Sequence, residues 1–291
     1  MSANTAPPPD RQVIDQPPQA RSSLGFEVRH SDAPLIDCVW RCDSADGGDL
    51  VSVASSHWHL VVSTTDGRTE VSVHGPETVA VRGPMPPGSS WLGIRFGLGV
   101  TLAGAPMDRL VDGNLALPAA AHRSFRWKGT AWQLPNYDHA EGLVVRLERE
   151  GLLFPDPLVA ATVSGTAVDP SLRTVQRRFQ AVTGLTRRAY RQIERARLAA
   201  VRLREGATPA TVAHELGYAD QPHLTRSLRR FLGHTPAQLS DPDLSAQLSL
   251  LFKTDETGMP SVAFDQLRRR ERPVHDQVQF DSDDQWELQA G

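Results

Sequence analysis

Residues 215–236 read ELGYADQPHLTRSLRRFLGHTP and decide how the C-terminal half of the chain is interpreted. The stretch is rich in Arg and His, although the chain of 291 residues has a formal charge of −3. Asp220 is a good helix N-cap. After it, Leu224, Leu228 and Leu232 recur every four residues and fall on one helical face. The pattern predicts a helix that buries this face and leaves a polar, basic face outside.

A shorter helix is predicted immediately before it. Thr208 is an N-cap and Pro209 occupies the first helical position. Val212 and Leu216 form the buried face, and Gly217 ends the helix. Two helices joined by a glycine turn, the second with a polar outer face, form a helix-turn-helix. The side chains expected on the outer face of the second helix are Gln221, His223, Thr225, Arg226 and Arg229.

The same pattern occurs 49 residues earlier in the chain. Residues 175–179, VQRRF, lie over 224–228, LTRSL, and residues 184–186, GLT, lie over 233–235, GHT. Ser171, which lies over Asp220, is the expected N-cap of this earlier helix. The predicted buried stripe is Leu172, Val175, Phe179 and Val182. The side chains predicted to face outward are Arg173, Thr174, Gln176 and Arg177.

The helix before this first copy is less regular. Asp156 and Pro157 begin it, Gly165 interrupts it, and Val168 stands where the second copy has Gly217. One amphipathic helix over residues 187–206 is predicted to join the two copies. Its expected buried residues are Ile193, Ala196, Ala200 and Leu203. Its arginines expected to lie outward, available to phosphates, are Arg188, Arg191, Arg195 and Arg202.

Basic charge is concentrated in this part of the chain. Residues 165–240 hold 13 Lys and Arg against 5 Asp and Glu, a net charge of +8. Residues 1–164 carry −5 and residues 241–291 carry −6. A compact basic module between acidic segments is typical of a nucleic-acid binder with other functions attached. A non-specific DNA-binding protein, the alternative, would show basic charge throughout.

Two helix-turn-helices joined by a long helix resemble the DNA-binding domain of AraC/XylS-type transcription regulators, over residues 156–239. Gly217-Tyr218, Arg226 and the Gly-x-Thr-Pro run at residues 233–236 occur together at the family's spacing. Leu224 and Leu228 stand where the family commonly has Phe. The resemblance implies that the second helix of each motif reads double-stranded DNA. The residues then expected to contact bases are Arg173, Gln176, Arg177, Gln221, His223, Thr225 and Arg226. Those expected to contact the DNA backbone are Thr174, Arg229 and Arg230.

The N-terminal half shows repeated strand signals from about residue 26 to residue 130. Asp66-Gly67, between two runs rich in β-formers, predicts a hairpin turn. Residues 83–88, GPMPPG, are predicted to be a loop because proline does not fit a paired central strand. Many short strands with Gly and Pro turns favour a small β-barrel or sandwich. The family resemblance implies that such a domain senses a small-molecule effector or forms a homodimer.

His57-Trp58-His59 is the most suggestive motif of this half. Two imidazoles two residues apart on a strand share a face and could bind one metal. The pattern departs from the cupin metal site, because the next acidic residues, Asp66 and Glu70, come late. We therefore expect no metal and no cofactor. The open alternatives are a small-molecule pocket formed by His57, His59, Trp91 and Arg95, unliganded sheet histidines, and a cupin-like metal-dependent enzyme fused to the DNA-binding module.

The whole chain is thus predicted to be an α+β protein without enzymatic activity. The predicted plan is a disordered leader (1–23), a β-rich regulatory domain (24–135), a connecting helix (136–155), the double helix-turn-helix domain (156–240) and an acidic tail (241–291). The connecting helix, capped by Asn136 or Asp138, packs on the β-domain or on a second subunit. Composition and the lack of a long apolar run predict a cytoplasmic location without membrane contact. Cys38 and Cys42 are expected to be reduced thiols.

Overall fold

The computed structural model describes residues 12–13, 24–120, 123–165 and 171–241. We call residues 24–155 the sheet region and residues 156–241 the helical region. Strands dominate the first and helices the second, so the coarse fold class predicted from the sequence is confirmed. Over the described ranges, no helix combines the length and the apolar character needed to cross a membrane.

The bounds of the elements are as follows. The strands are β1 Gln12–Val13, β2 Leu24–His30, β3 Ile36–Ser44, β4 Gly48–Ser52, β5 His59–Thr65, β6 Arg68–His74, β7 Val81–Met85, β8 Ser89–Phe96, β9 Val100–Leu102, β10 Asn114–Leu117, β11 Ala119–Ala120, β12 Ser124–Trp127, β13 Thr130–Gln133 and β14 Leu153–Pro155. The helices are α1 Ala140–Arg149, α2 Pro157–Ser164, α3 Leu172–Thr183, α4 Arg187–Arg204, α5 Pro209–Glu215, α6 Gln221–Leu232 and α7 Pro236–Leu239, with a short 3-10 helix at Met107–Arg109.

The sheet region is built on a six-stranded antiparallel sheet with the strand order β10-β6-β5-β8-β3-β2. A second sheet of three strands has the order β1-β7-β4. The described strands form no closed barrel, so the barrel or sandwich form predicted from the sequence is not confirmed. Of the predicted leader, Gln12–Val13 pair with β7. The remainder of the leader and the tail after residue 241 lie outside the described residues.

The predicted hairpin at Asp66-Gly67 is confirmed. It joins β5 to β6, with Thr65 paired to Arg68. Both turn residues have positive φ, 52° for Asp66 and 74° for Gly67. A two-residue turn of this kind matches the twist of the strands that it joins.

The loop predicted over residues 83–88 is wrong for its first three residues. Gly83, Pro84 and Met85 belong to β7, and Pro84 pairs with Asp49 of β4. Within the described ranges, the other neighbour, β1, pairs only with Val81 and Arg82. Among these residues Pro84 is paired on one side of the strand only, a position that a residue without an N–H group can occupy.

Helix α1 packs on the main sheet rather than standing apart from it. Leu143, Val144 and Leu147 are buried in the same cluster as the sheet residues. Arg29 of β2 binds both carboxylate oxygens of Glu141, at 2.6 and 2.9 Å. This hydrogen bond lowers the pKa of Glu141 to about 2. The β-domain, one of the two partners predicted for this helix, is thus the partner that it contacts.

The side-chain caps predicted for this helix do not cap it. The N-cap is His139, which makes no capping side-chain bond. Asn136 instead accepts a hydrogen bond from the backbone N–H of His139 at 2.8 Å and closes the turn before the helix.

In the helical region, oxygen side chains cap the helices where the sequence predicts them. Asp220 accepts from the backbone N–H of His223 at 2.6 Å and begins α6.

We expect Asp220→Ala to lower the free energy of unfolding by about 1 kcal/mol, because a donor in the first turn loses its acceptor. Denaturant unfolding checks this. Asp220→Ser keeps an acceptor and is expected to stay close to the wild type, whereas an equal loss in both variants would contradict the capping role.

Candidate nucleic-acid interface

Helices α3 and α6, which we call the reader helices, are repeats of each other in the structure as well as in the sequence. Each is 12 residues long. Ser171 and Asp220 cap their N-termini, and Gly184 and Gly233 end them in the left-handed conformation, at φ 79° and 73°. All of these positions differ by 49 residues. The repeat predicted from the sequence is therefore a repeat of the local fold.

The buried face of α6 is the one predicted. Leu224, Leu228 and Leu232 are fully buried, and Phe231, which the leucine spacing misses, is buried beside them. The outer face of α6 carries exposed Gln221, Arg226, Arg229 and Arg230, with His223 and Thr225 half-buried.

His223 has a second role in the turn before α6. Its Nδ1 accepts from the backbone N–H of Ala219 at 3.3 Å, and its ring lies edge-on against Tyr218. Because Nδ1 is used within the turn, Nε2 is the nitrogen left for a base edge.

The face predicted for α3 is confirmed with one correction. Val175, Phe179 and Val182 are buried, and Arg173, Thr174, Gln176 and Arg177 are exposed. Leu172 was assigned to the buried stripe, and this is wrong, since it is 73% exposed. The signal was present in the repeat: Leu172 lies over Gln221, which the same reasoning placed outside.

Arginines of the helical region fall into two groups by their partners. Arg178 binds Asp156 at 2.6 Å, and Arg202 binds Glu205 and Glu215 at 2.6 and 3.2 Å. In contrast, across the parts of the chain that the structure describes, the arginines of the reader faces have no carboxylate partner. These are Arg173, Arg177, Arg226, Arg229 and Arg230.

The long helix α4 joins the two motifs as predicted, and Ile193, Ala196, Ala200 and Leu203 are buried. The four arginines of α4 that were predicted to lie outward differ in their surroundings. Arg188 and Arg191 are exposed. Arg195 lies 4.3 Å from the centre of the Tyr218 ring and donates to the Gly217 carbonyl at 3.3 Å. Arg195 and Arg202 are thus held by protein groups, which contradicts their predicted availability to phosphates.

The first motif begins as predicted with Asp156 and Pro157. Asp156 is buried and accepts from the backbone N–H of Val159 at 2.9 Å. Gly165 does not interrupt the helix but ends it, as a left-handed C-cap with φ 69°. Val168 lies outside the described residues.

Two of the four residues predicted for a ligand pocket meet on the main sheet. His59 of β5 is paired in register with Arg95 of β8. Arg95 is 2% exposed and forms an ion pair with Asp37. The Nδ1 of His59 accepts from the indole N–H of Trp40 at 3.1 Å. Burial, and then the charge of Arg95, hold the pKa of His59 well below its usual range, so this imidazole is neutral.

The other two residues lie apart from this pair. Trp91 is four positions from Arg95 along β8, and the ring of Trp40 covers Gly93 between them, where a Cβ would approach the ring to 2.0 Å. His57 precedes β5 instead of lying on it. Burial lowers the pKa of His57 to about 4, although the charges of Asp37 and Glu194 oppose this shift. Glu194 belongs to α4, so His57 lies where the sheet region meets the helical region.

Among the described residues, no three His, Cys, Asp or Glu side chains are grouped to hold a metal ion, around these histidines or elsewhere. Cys38 and Cys42 are both buried free thiols, and burial raises the pKa of each to about 11. Neither thiol is therefore ionised near neutral pH.

Comparison with known proteins identifies the helical region. Residues 166–241 match the family model of a helix-turn-helix domain, of the AraC type. The match runs from α3 to α7 and includes both reader helices, whereas α2 precedes it. No curated protein and no solved structure matches the chain. The match confirms the resemblance to AraC/XylS-type regulators over residues 166–241 and supports DNA binding by this part of the chain.

Proposed function

We propose that this protein is a cytoplasmic transcription regulator that reads a bipartite DNA site with α3 and α6. One observation carries the proposal. The two reader helices repeat each other in length and in both caps, and each presents exposed arginines that have no carboxylate partner in the described residues. Arginines kept free of internal ion pairs retain their capacity to bind phosphate or guanine.

The side chains of the two faces divide by the kind of contact they suit. Arg and Gln can each make two hydrogen bonds to a purine edge in the major groove. Arg173, Gln176 and Arg177 of α3, and Gln221, His223, Thr225 and Arg226 of α6, are proposed to contact bases. Contacts to phosphate set the position on the duplex without reading sequence. Thr174, Arg229 and Arg230 are proposed for that role.

Leu172 joins the proposed set of base-contacting residues. Leu172 is 73% exposed at the first position of α3, beside the polar candidates of that helix, so its side chain is accessible to DNA. The thymine methyl group is the apolar feature of the major groove. We therefore assign Leu172 to an apolar contact with the thymine methyl group of a T·A pair.

The sheet region is proposed to regulate DNA binding by taking up a small-molecule effector or by forming a homodimer. Neutral His59, cationic Arg95 and the Trp40 indole converge on one face of the sheet. Such a mixture of aromatic and polar groups is typical of small-molecule sites. We assign no enzymatic activity to the chain, because the candidate residues include no ionised nucleophile with an adjacent base.

The proposal is tested by selecting binding sites from a random DNA library with purified full-length protein at fixed, near-physiological salt. We expect one enriched motif with two halves about ten base pairs apart, since reader helices on one face of DNA contact successive major grooves. Affinity for this motif is expected to exceed that for a scrambled duplex by at least about 1,000-fold. Binding without any enriched sequence would exclude a regulator that reads DNA in the absence of an effector, and would leave an effector-dependent regulator or the non-specific alternative.

A further inference from the structure

Loops at one end of the main sheet contact both helix-turn-helix motifs. They are residues 53–58, 75–80 and 97–111, the last of which includes β9 and the 3-10 helix, and we call these three segments the docking loops. Val53 and Ala54 are buried in the same hydrophobic cluster as the leucines of α6 and the inner face of α4, with Val111 packed against it. The two regions therefore share a core, and the helical region is not an independent body on a tether.

Docking loops hold the second motif through its backbone. The N–H of Ala54 donates to the Phe231 carbonyl at 2.7 Å, and the N–H of Ala80 donates to the Arg230 carbonyl at 2.8 Å. Both carbonyls lie in the last turn of α6, where helical partners run out. Asp112 braces this loop by accepting from the backbone N–H and the hydroxyl of Thr78, both at 2.6 Å. The C-terminal end of α6 is thus fixed by the sheet region.

The first motif is held at a separate place. Gly184, which ends α3, lies so close to the 3-10 helix that a Cβ would come within 2.6 Å of the Met107 carbonyl. The N–H of Asp156 donates to the Gly99 carbonyl at 2.9 Å. Asp156 is also the only residue between the end of β14 and the start of α2. The first motif therefore has little freedom to move relative to the sheet.

The hydrophobic clusters show that the sheet region contacts both motifs. Phe179 and Val182 of α3 form a small cluster of their own with Val159, and the residues packed against it include Leu98 of a docking loop and Tyr190 of α4. The inner face of α4 belongs instead to the cluster of the second motif. Helix α4, roughly 27 Å long at 1.5 Å per residue, links the motifs, and the docking loops contact each motif separately.

A polar contact sets the position of α4 on the docking loops. The hydroxyl of Ser56 donates to Glu194 at 2.5 Å, and Glu194 lies 3.8 Å from Arg197. The ion pair of Asp37 with Arg95 is close enough to act on the same groups, since Arg197 influences the pKa of Asp37. Removing a buried charge from its partner destabilises the fold. These charged groups therefore favour the observed position of α4 on the docking loops over positions in which the helix is shifted.

We propose that the sheet region fixes the separation and rotation of the two reader helices, with Glu194 as the positioning residue that locks α4 to Ser56. This inference rests on the proposed function, because it concerns how the two readers reach one bipartite site. Its consequence is that the protein selects the spacing between half-sites as well as their sequences.

The test measures the affinity of the full-length protein for duplexes whose half-sites are about 8 to about 13 base pairs apart, a range that covers one helical turn. The wild type is expected to bind its best spacing at least about 10-fold more tightly than a spacing two base pairs longer. In Glu194→Ala and in Ser56→Ala this preference is expected to fall to within about 3-fold. Affinity for a single half-site is expected to be unchanged.

Glu205→Ala is the matched control, since it removes a carboxylate from the exposed C-terminal end of α4. Circular dichroism establishes that each variant folds. The inference is overturned if Glu194→Ala and Ser56→Ala both keep the wild-type spacing preference. It is also overturned if they lose affinity for a single half-site by the same factor as affinity for the bipartite site. A wild type that binds half-sites specifically but accepts every spacing would also overturn it while leaving the proposed function intact. A wild type without specific binding would instead count against the proposed function, by excluding specific DNA reading in the absence of an effector.

Discussion

Replacing Arg226 with alanine is expected to weaken binding to the selected DNA site by about 10- to 100-fold. This range corresponds to the roughly 1–3 kcal/mol that a bidentate arginine–guanine contact contributes to discrimination. Arg226 is exposed on α6, lacks a carboxylate partner in the described residues and repeats the position of Arg177 in α3. Because its side chain packs on nothing in the core, the fold is expected to be retained.

The measurement compares affinities for the selected site and for a scrambled duplex at one salt concentration. Arg202→Ala is the matched control, because Arg202 lies on α4, outside the reader helices, and is already bound to Glu205 and Glu215. It removes the same charge, and the ratio of the two affinities is expected to stay as in the wild type. If Arg226→Ala lowers both affinities equally, Arg226 contacts phosphate and leaves the set of base-reading residues.

Lowering the pH from 7 to 5 is expected to reduce the free energy of unfolding by about 2 kcal/mol through His234 alone. His234 is 2% exposed, and burial, followed by the charge of Arg82, lowers its pKa to about 4. In the unfolded chain a histidine has a pKa of about 6.5. Between these values the unfolded state binds a proton that the folded state does not. Stability is therefore complete above pH 6.5 and is lost progressively as the pH falls toward 4.

His57 and His59 act in the same direction, since burial lowers the pKa of both. Urea unfolding at pH 7, 6 and 5 measures the combined slope. His234→Gln is expected to flatten it, because a side chain that does not titrate replaces one that does. The carboxylate of Glu141 has a pKa of about 2, so it affects the pH dependence of stability mainly below pH 5, outside the range from pH 7 to 5 that is measured here. A slope identical in the wild type and the variant would exclude His234 as a source.

The helical region was predictable because its signals are local. A cap such as Asp220, a stop such as Gly233 and leucines four residues apart lie within one helix, so neighbouring residues determine the outcome. Leu172 is one exception. Its spacing suits the buried stripe of α3, but in the 49-residue repeat it lies over Gln221, which is exposed at the first position of α6. The repeat therefore carried a signal that the helical spacing alone does not give.

The sheet region was predictable only in outline. Alternating residues and Asp66-Gly67 locate strands and one turn, but they do not say which strands pair. His59 meets Arg95 through pairing across 36 positions of sequence, and His57 meets Glu194 through contact with the helical region. Both encounters depend on register and docking, which no local pattern encodes. Because strand register could not be read from the sequence, His57, His59 and Arg95 were predicted to share one pocket with Trp91.

The single-residue junction at Asp156 has a consequence for recombination and engineering. A chimera that cut the chain there and attached residues 156–241 to a foreign input domain would uncover the apolar surface that Val53 and Ala54 now cover. It would also leave the carbonyls of Arg230 and Phe231 without their donors from the docking loops. Modular exchange in this protein therefore has to transfer the docking loops together with the helices, so the unit that can be inherited or transplanted intact is larger than the segment that touches DNA.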